Sequence, residues 1–430
     1  MKKTFRPAVL SMAVALGITG VSAGGAYAAP SANPSTSQLD WSYKVPDQLD
    51  LASTFRFGTF AGDNLYLQAV DGHNSQIVQA FDQENGGKDN WTYDFQGDAK
   101  QLTSGGYAIQ DKNGNSYYVR KKDGEQTYKL EAVDANGKLK WNKDVGSKAI
   151  ERLQVLHNGD IVVSGSVAPT KTVNSHQVFY VFGADGKVKN TQKIDGSEIN
   201  NSGAYIKLLP NGQVLAISPK LQLFKSLNDL KKPILEYELP EWNSIDFDVR
   251  GGNFGEAVYS LSGGNTLVVL REEDYSAVPF KEGAQEIDLS IVKQSKSVVL
   301  FDANGKKKWE RELWQDAAIV PTADGFVLQK DNKIELYGQD NKLKTSKTVE
   351  GDDVWLAKAK TTDEIVLTSK EAGTFQALDP KDLSVKYEID MKETAGEKAD
   401  YSFLYEGDGE LYVHTMDWNV NKSISHYSLK

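Results

Sequence analysis

Residues able to do chemistry are scattered along this chain. Its five histidines, His73, His157, His176, His414 and His426, show no His-x-x-x-His spacing of the kind that places two imidazoles on one zinc ion. Cysteine is absent, which removes thiolate metal sites, cysteine nucleophiles and disulfides. There is no Gly-x-Ser-x-Gly elbow and no phosphate-binding glycine loop, since Gly251-Gly252-Asn253-Phe254-Gly255 precedes a strand pattern rather than a helix. Asp111-Lys112-Asn113-Gly114-Asn115 begins like a calcium loop, but it lacks the glycine at the sixth position and the glutamate at the twelfth. A hairpin turn accounts for it better. Three acidic groups have types suited to acid/base work on a sugar: Glu272-Glu273-Asp274, Asp246 with Asp248, and Asp352-Asp353. Solvated loop charge explains them as well, because 59 Asp+Glu outnumber 49 Lys+Arg and the net charge is -10. The same acidity argues against a nucleic-acid partner, whose phosphates need a basic stripe.

The elements that would position these residues follow from an internal repeat. Asp134-Ala135-Asn136-Gly137-Lys138-Leu139-Lys140-Trp141 returns as Asp302-Ala303-Asn304-Gly305-Lys306-Lys307-Lys308-Trp309. A stretched copy joins Asp82 to Trp91, another begins at Asp185-Gly186-Lys187, and weaker copies centre on Asp229, Asp340 and Asp379. With a final unit near Tyr427 the mean period is about 49 residues, close to that of a four-stranded propeller blade. Asn-Gly between runs of β-formers predicts a hairpin with a tight primed turn. A second turn series lies upstream of each anchor, at Asn113-Gly114, Asn158-Gly159, Asn211-Gly212, Gly263-Gly264, Asp324-Gly325 and Asp408-Gly409, with looser versions at Gly62-Asp63 and Thr362-Asp363. Each unit therefore reads strand A, tight turn, strand B, loop, strand C, tight turn, strand D. The last unit ends without its D strand, whereas Asp40-Trp41-Ser42-Tyr43-Lys44-Val45 looks like an orphan one. The expectation is an all-β, eight-bladed propeller of four-stranded antiparallel blades, its ring closed by the N-terminal strand completing the last blade and so covering an exposed edge.

The Asp-x-x-Gly-Lys-x-x-Trp phrase, the eight units and this closure resemble the quinoprotein-like, or pyrroloquinoline-quinone-like, propellers over essentially all of 39–430. The resemblance implies that Trp41, Trp91, Trp141 and Trp309 dock each blade on its neighbour. Asn190, Leu235, Thr345 and Val385 stand at the matching positions of the other units. The family's dehydrogenases are longer, and they hold the quinone with calcium under a cap made by adjacent cysteines, which this chain lacks. The resemblance is thus closer to the non-catalytic scaffold members, and no cofactor is expected.

Three regions complete the organisation. Lys2, Lys3 and Arg6, the apolar run from Ala8 to Val21 and Ala26-Tyr27-Ala28 read as a secretory signal over 1–28, cleaved after Ala28. Residues 29–38 read as a flexible leader and 39–430 as one propeller domain with an insertion at 271–296 in blade 5. No later window is apolar enough to span a bilayer. Long connections gather on the face formed by the B–C and D–A loops, and long loops on a rigid scaffold commonly carry binding. Trp242, Glu272, Glu273, Asp274, Tyr275, Phe280 and Trp418 are the candidate contacts there. The functional expectation is an exported, monomeric binding or scaffold propeller that uses this face for a protein or an envelope polymer. The alternative is a propeller enzyme, either a quinone-dependent dehydrogenase or a glycoside hydrolase or lyase with funnel carboxylates.

Overall fold

A computed structural model describes residues 37–44, 56–61, 64–70, 76–82, 88–95, 98–99, 108–121, 126–146, 150–167, 176–195, 205–217, 220–238, 244–246, 258–274, 293–314, 317–351, 353–369, 373–392, 400–417 and 420–430. The expected signal peptide and nearly all of the leader lie outside them. The described chain is all-β and winds as a succession of antiparallel meanders. The third sheet is typical: Arg152–Val155, Ile161–Val167, His176–Phe182 and Val188–Ile194 pair in chain order. Inner strands of successive sheets pack side by side, and Arg56–Ala61 of the first sheet lies against both Ala108–Gln110 of the second and Asp400–Gly407 of the last. That arrangement is a closed propeller.

The expectation of an eight-bladed propeller of four-stranded blades is corrected: seven blades are built wholly from consecutive strands, and two of these seven carry a fifth, short strand. In the second sheet Asp98–Ala99 and Ala108–Gln110 share one edge of Ser116–Lys121. In the fifth, Ser244–Asp246 and Val258–Ser260 share one edge of Thr266–Asp274. Each pair thus takes the place of a single inner strand. The remaining sheet is composite. Ser37–Lys44 pairs with Val420–Leu429, which continues through Glu410–Asp417 to Asp400–Gly407.

The repeated turn also differs from expectation. Gly137 N–H donates to Asp134 O (3.0 Å), and Gly137 alone in that turn has a positive φ, 78°. One Asp134 carboxylate oxygen accepts the amides of both Asn136 and Lys138 at 2.9 Å. Those bonds hold the first two turn residues in the right-handed region, giving a three-residue loop that ends in a glycine bulge instead of a primed turn. Asp302 repeats the arrangement with Asn304, Lys306 and Gly305 (φ 76°).

The apolar core lies between neighbouring sheets. Tyr117, Val119 and Leu130 of the second sheet meet Leu153, Ile161 and Val163 of the third. Val268 and Val299 of the fifth meet Leu215, Leu221 and Leu223 of the fourth. Alternate residues of each inner pair of strands thus serve different neighbours, which is why the central strands read as nearly unbroken apolar runs.

Candidate functional site

The tryptophan series joins the sheets. Trp91 Nε1–H donates to Ala135 O (2.7 Å), Trp141 to Ala184 O (3.1 Å) and Trp309 to Gln339 O (2.7 Å), each acceptor lying in the turn of the following sheet. The turn glycine leaves room for the ring: a Cβ on Gly137 would stand 2.7 Å from Trp91, and one on Gly186 the same distance from Trp141. Gly137→Ala therefore combines a disfavoured φ with a steric clash. Its expected cost is about 1–3 kcal/mol, read as a lower urea midpoint with an unchanged slope. Trp41 is buried at the closing seam against Tyr412 and His426, with ring centroids 6.1 and 5.6 Å away.

Among the candidate contacts, Trp242, Tyr275, Phe280 and Trp418 lie outside the described residues. Glu272, Glu273 and Asp274 fall within the strand Thr266–Asp274, paired with Ser295, Gln294 and Lys293. They are strand residues rather than loop charge. Of the other acids, Asp246 is in a strand, Asp248 and Asp352 lie outside the described residues, and Asp353 accepts a hydrogen bond from Ser369 Oγ (2.9 Å). Asp111 is occupied by its own turn, accepting from the amides of Asn113 and Asn115, Asn115 Nδ2 and Tyr117 Oη at 2.8–3.0 Å. Burial and the Asp111 carboxylate push the Tyr117 hydroxyl well above the usual tyrosine range. His157 serves a turn, its amide donating to Pro210 O (2.9 Å). Among the described residues no three His, Asp or Glu side chains converge as metal ligands.

The face made by the B–C and D–A connections carries a feature the repeat analysis missed. Trp355 is 57% exposed although it sits on an inner strand, Val354–Lys358, at the end entered from the D–A connection. Its ring meets the edge of Phe403 on the neighbouring inner strand at 5.8 Å, Phe403 meets Phe375 at 5.5 Å, and Phe375 meets Tyr405 at 5.2 Å. Phe375 and Tyr405 are buried, so the exposed indole is the outer end of an aromatic stack anchored in the core. Beside it, Gln329 Nε2 donates to Val354 O (2.5 Å), and the next residue, Lys330, places its ammonium 4.9 Å from the Trp314 ring centroid. Trp314, Lys330, Gln329, Trp355 and Phe403 therefore form a belt across the fifth to eighth sheets. One sequence signal pointed to it: Trp314 and Trp355 fall outside the Asp-x-x-Gly-Lys-x-x-Trp phrase and have no docking role to fill.

Two buried polar groups lie elsewhere. Glu131 accepts from Tyr118 Oη and from Arg120 Nε (2.7 Å) within the second sheet. Glu364 accepts from Tyr405 Oη (2.8 Å), the Asp408 amide (2.9 Å) and the Lys386 ammonium between the seventh and eighth sheets. Each carboxylate is buried and accepts from more than one donor, as a buried charge requires.

No known protein family matches the sequence, and no curated protein matches it. The chain is similar in fold to the solved Dos1 propeller, at 10% identity over 91% of this chain and 95% of that one, with a TM-score of 0.45. It is similar to BBS1N, solved in complex with ARL6DN, at 8% identity over 93% and 98% of the two chains (TM-score 0.37). The β-propeller domain of the Trilobed protease from Pyrococcus furiosus is matched at 10% identity over 79% and 96% (TM-score 0.38). Likeness this remote carries no argument about function.

Proposed function

We propose that this chain is an exported binding or scaffold propeller of the quinoprotein-like type, whose working surface is the B–C/D–A face and whose partner is a protein. The observation that carries the reading is Trp355. A large aromatic ring held half-open on a rigid inner strand, with its edge fixed by Phe403, gives contact area at little entropic cost. Lys330 and Asp353, both exposed, supply polar groups of opposite charge beside it. The docking of Trp91, Trp141 and Trp309 on turn carbonyls supports the family likeness, and the apolar N-terminal run ending at Ala26-Tyr27-Ala28 supports export.

The test is a photo-reactive benzoyl-phenylalanine at position 355 in living cells, with a matched control at Asn211 on the opposite face. Discrete protein adducts at 355 and none at 211 are expected. Matching profiles at the two positions sink the reading, and adducts released by soluble glycans assign the face to an envelope polymer instead. Trp355→Ala is expected to abolish the interaction while changing stability by no more than about 1 kcal/mol, because the ring is mostly solvated.

A further inference from the structure

Seven large apolar side chains stand exposed among the described residues, and five of them share one place in the repeat. Leu139, Val188 and Leu343 open the outer strands of the second, third and sixth sheets, each directly before a β-bulge. Leu39 precedes the bulge of the closing strand, and Ile234 stands one residue ahead of the outer strand of the fourth sheet. Their exposures run from 40% at Ile234 to 59% at Val188. The fold does not require apolar residues here, because the fifth sheet has the same turn and bulge with Lys307 at this position.

These positions belong to one face. In an antiparallel meander the A–B and C–D turns emerge at the same end of the sheet, opposite the B–C/D–A face that bears Trp355. Charge on the turn face is divided. The C–D connections of the second to sixth sheets, residues 134–140, 183–189, 225–234, 302–308 and 338–344, hold twelve lysines and five aspartates. The A–B turns of the same sheets add one lysine and three aspartates, which leaves a positive excess in a chain of net charge -10. In the seventh and eighth sheets the turns at 359–364, 379–384 and 406–410 hold seven acids and two lysines.

Leu139, Val188 and Leu343 are each bracketed in sequence by exposed lysines. Lys140 and Lys189 turn back to Asn115 and Asp160, while Lys187 and Lys342 stand in solvent beside Asp185 and Asp340. An apolar tip between ammonium groups suits a boundary where hydrocarbon begins just below a layer of phosphates. The tip leaves water there, and the lysine stems carry their charges to the headgroups. A hydrated polyanion offers charge alone and gives the apolar tips nothing to enter. A protein partner usually takes one contiguous patch, whereas a flat surface meets single side chains on several blades together.

We propose that the C–D turns of the second to sixth sheets seat the propeller on an anionic lipid surface, with the acidic turns of the seventh and eighth sheets held away from it. The Trp355 face is opposite, so this site and its test are independent of the protein-binding reading.

The test is cosedimentation of the chain from Ala29, the form expected after export, so that the apolar leader cannot insert. The vesicles are phosphatidylcholine, either pure or with about one-third phosphatidylglycerol. Binding is expected to the anionic vesicles alone and falls as salt is raised toward about 1 M. The triple variant Lys138→Gln, Lys187→Gln, Lys342→Gln is expected to bind more than about tenfold more weakly. Leu139→Gln with Val188→Gln and Leu343→Gln keeps every charge and is also expected to lose about tenfold. Val167→Gln, which changes an exposed apolar residue on the opposite face, is expected to bind as the wild type does. Absence of binding to anionic vesicles at low salt overturns the proposal, as does an equal loss in Val167→Gln. Wild-type affinity in the apolar triple variant also overturns it, and assigns the face to hydrated polyanions such as inorganic polyphosphate.

Discussion

Deleting Ser37–Lys44 is expected to lower the melting temperature by tens of degrees or to abolish soluble expression. The strand contributes the outer edge of the closing sheet, in register from Ser37 opposite Leu429 to Lys44 opposite Ser423. Without it, the ten residues of Val420–Leu429 become an open edge, and the buried Trp41 ring is lost from over Tyr412 and His426. An aromatic side chain of that size contributes about 3–5 kcal/mol when removed from a core, and a long unpaired edge invites aggregation. Calorimetry and soluble yield measure the effect. Adding a synthetic Ser37–Lys44 peptide to the truncated chain should recover part of the melting temperature, since the missing strand binds only the folded ring. An unchanged melt after deletion would mean that the ring does not depend on this strand.

The second large effect is expected at Glu364. The residue is 3% exposed, and its side chain holds Tyr405, the Asp408 amide and Lys386 at one point between two sheets. Glu364→Ala leaves a buried hydroxyl, an amide and an ammonium without their acceptor, a loss of about 3–5 kcal/mol by comparison with other broken buried pairs. Burial works against ionisation of this carboxyl, but Lys386, Tyr405 and Asp408 overcome it and hold its pKa below the ordinary value of 4.5. A depressed carboxylate pKa stabilises the fold at pH above that ordinary value, and the gain is lost as pH falls through the folded pKa. Denaturant titrations of wild type and Glu364→Gln should therefore differ most at neutral pH and converge in acid. A constant gap down to about pH 2 would assign the loss to packing instead of charge.

The strands and their order were legible in the sequence because the repeat marks them locally. Asp134 and Asp302 each cap their own turn, and Gly137 or Gly305 takes the one left-handed position. Turn type was misread because Asn-Gly fits two geometries, and only the aspartate three residues before the glycine decides between them. The divided inner strands were hidden for a different reason. Whether Asp98–Ala99 and Ala108–Gln110 are one strand or two depends on the edge they share, which no local pattern encodes.

The candidate surface was legible in part. Long connections drew attention to the B–C/D–A face, but the nominated Tyr275 and Phe280 lie outside the described residues, and Glu272–Asp274 belong to a strand. Trp355 emerged only from the structure. Its surroundings depend on Phe403, 48 positions away in the chain, being brought beside the ring by a neighbouring inner strand.

By itself the sequence determined the all-β class, the repeat, the docking of Trp91, Trp141 and Trp309 and the closing strand, because turn chemistry and period-two patterning act over a few residues. The tertiary structure decided which tryptophan faces solvent and which carboxylates are buried with more than one donor. Those properties arise where strands distant in sequence are brought side by side, and burial and charge pairing are set by the neighbours found there.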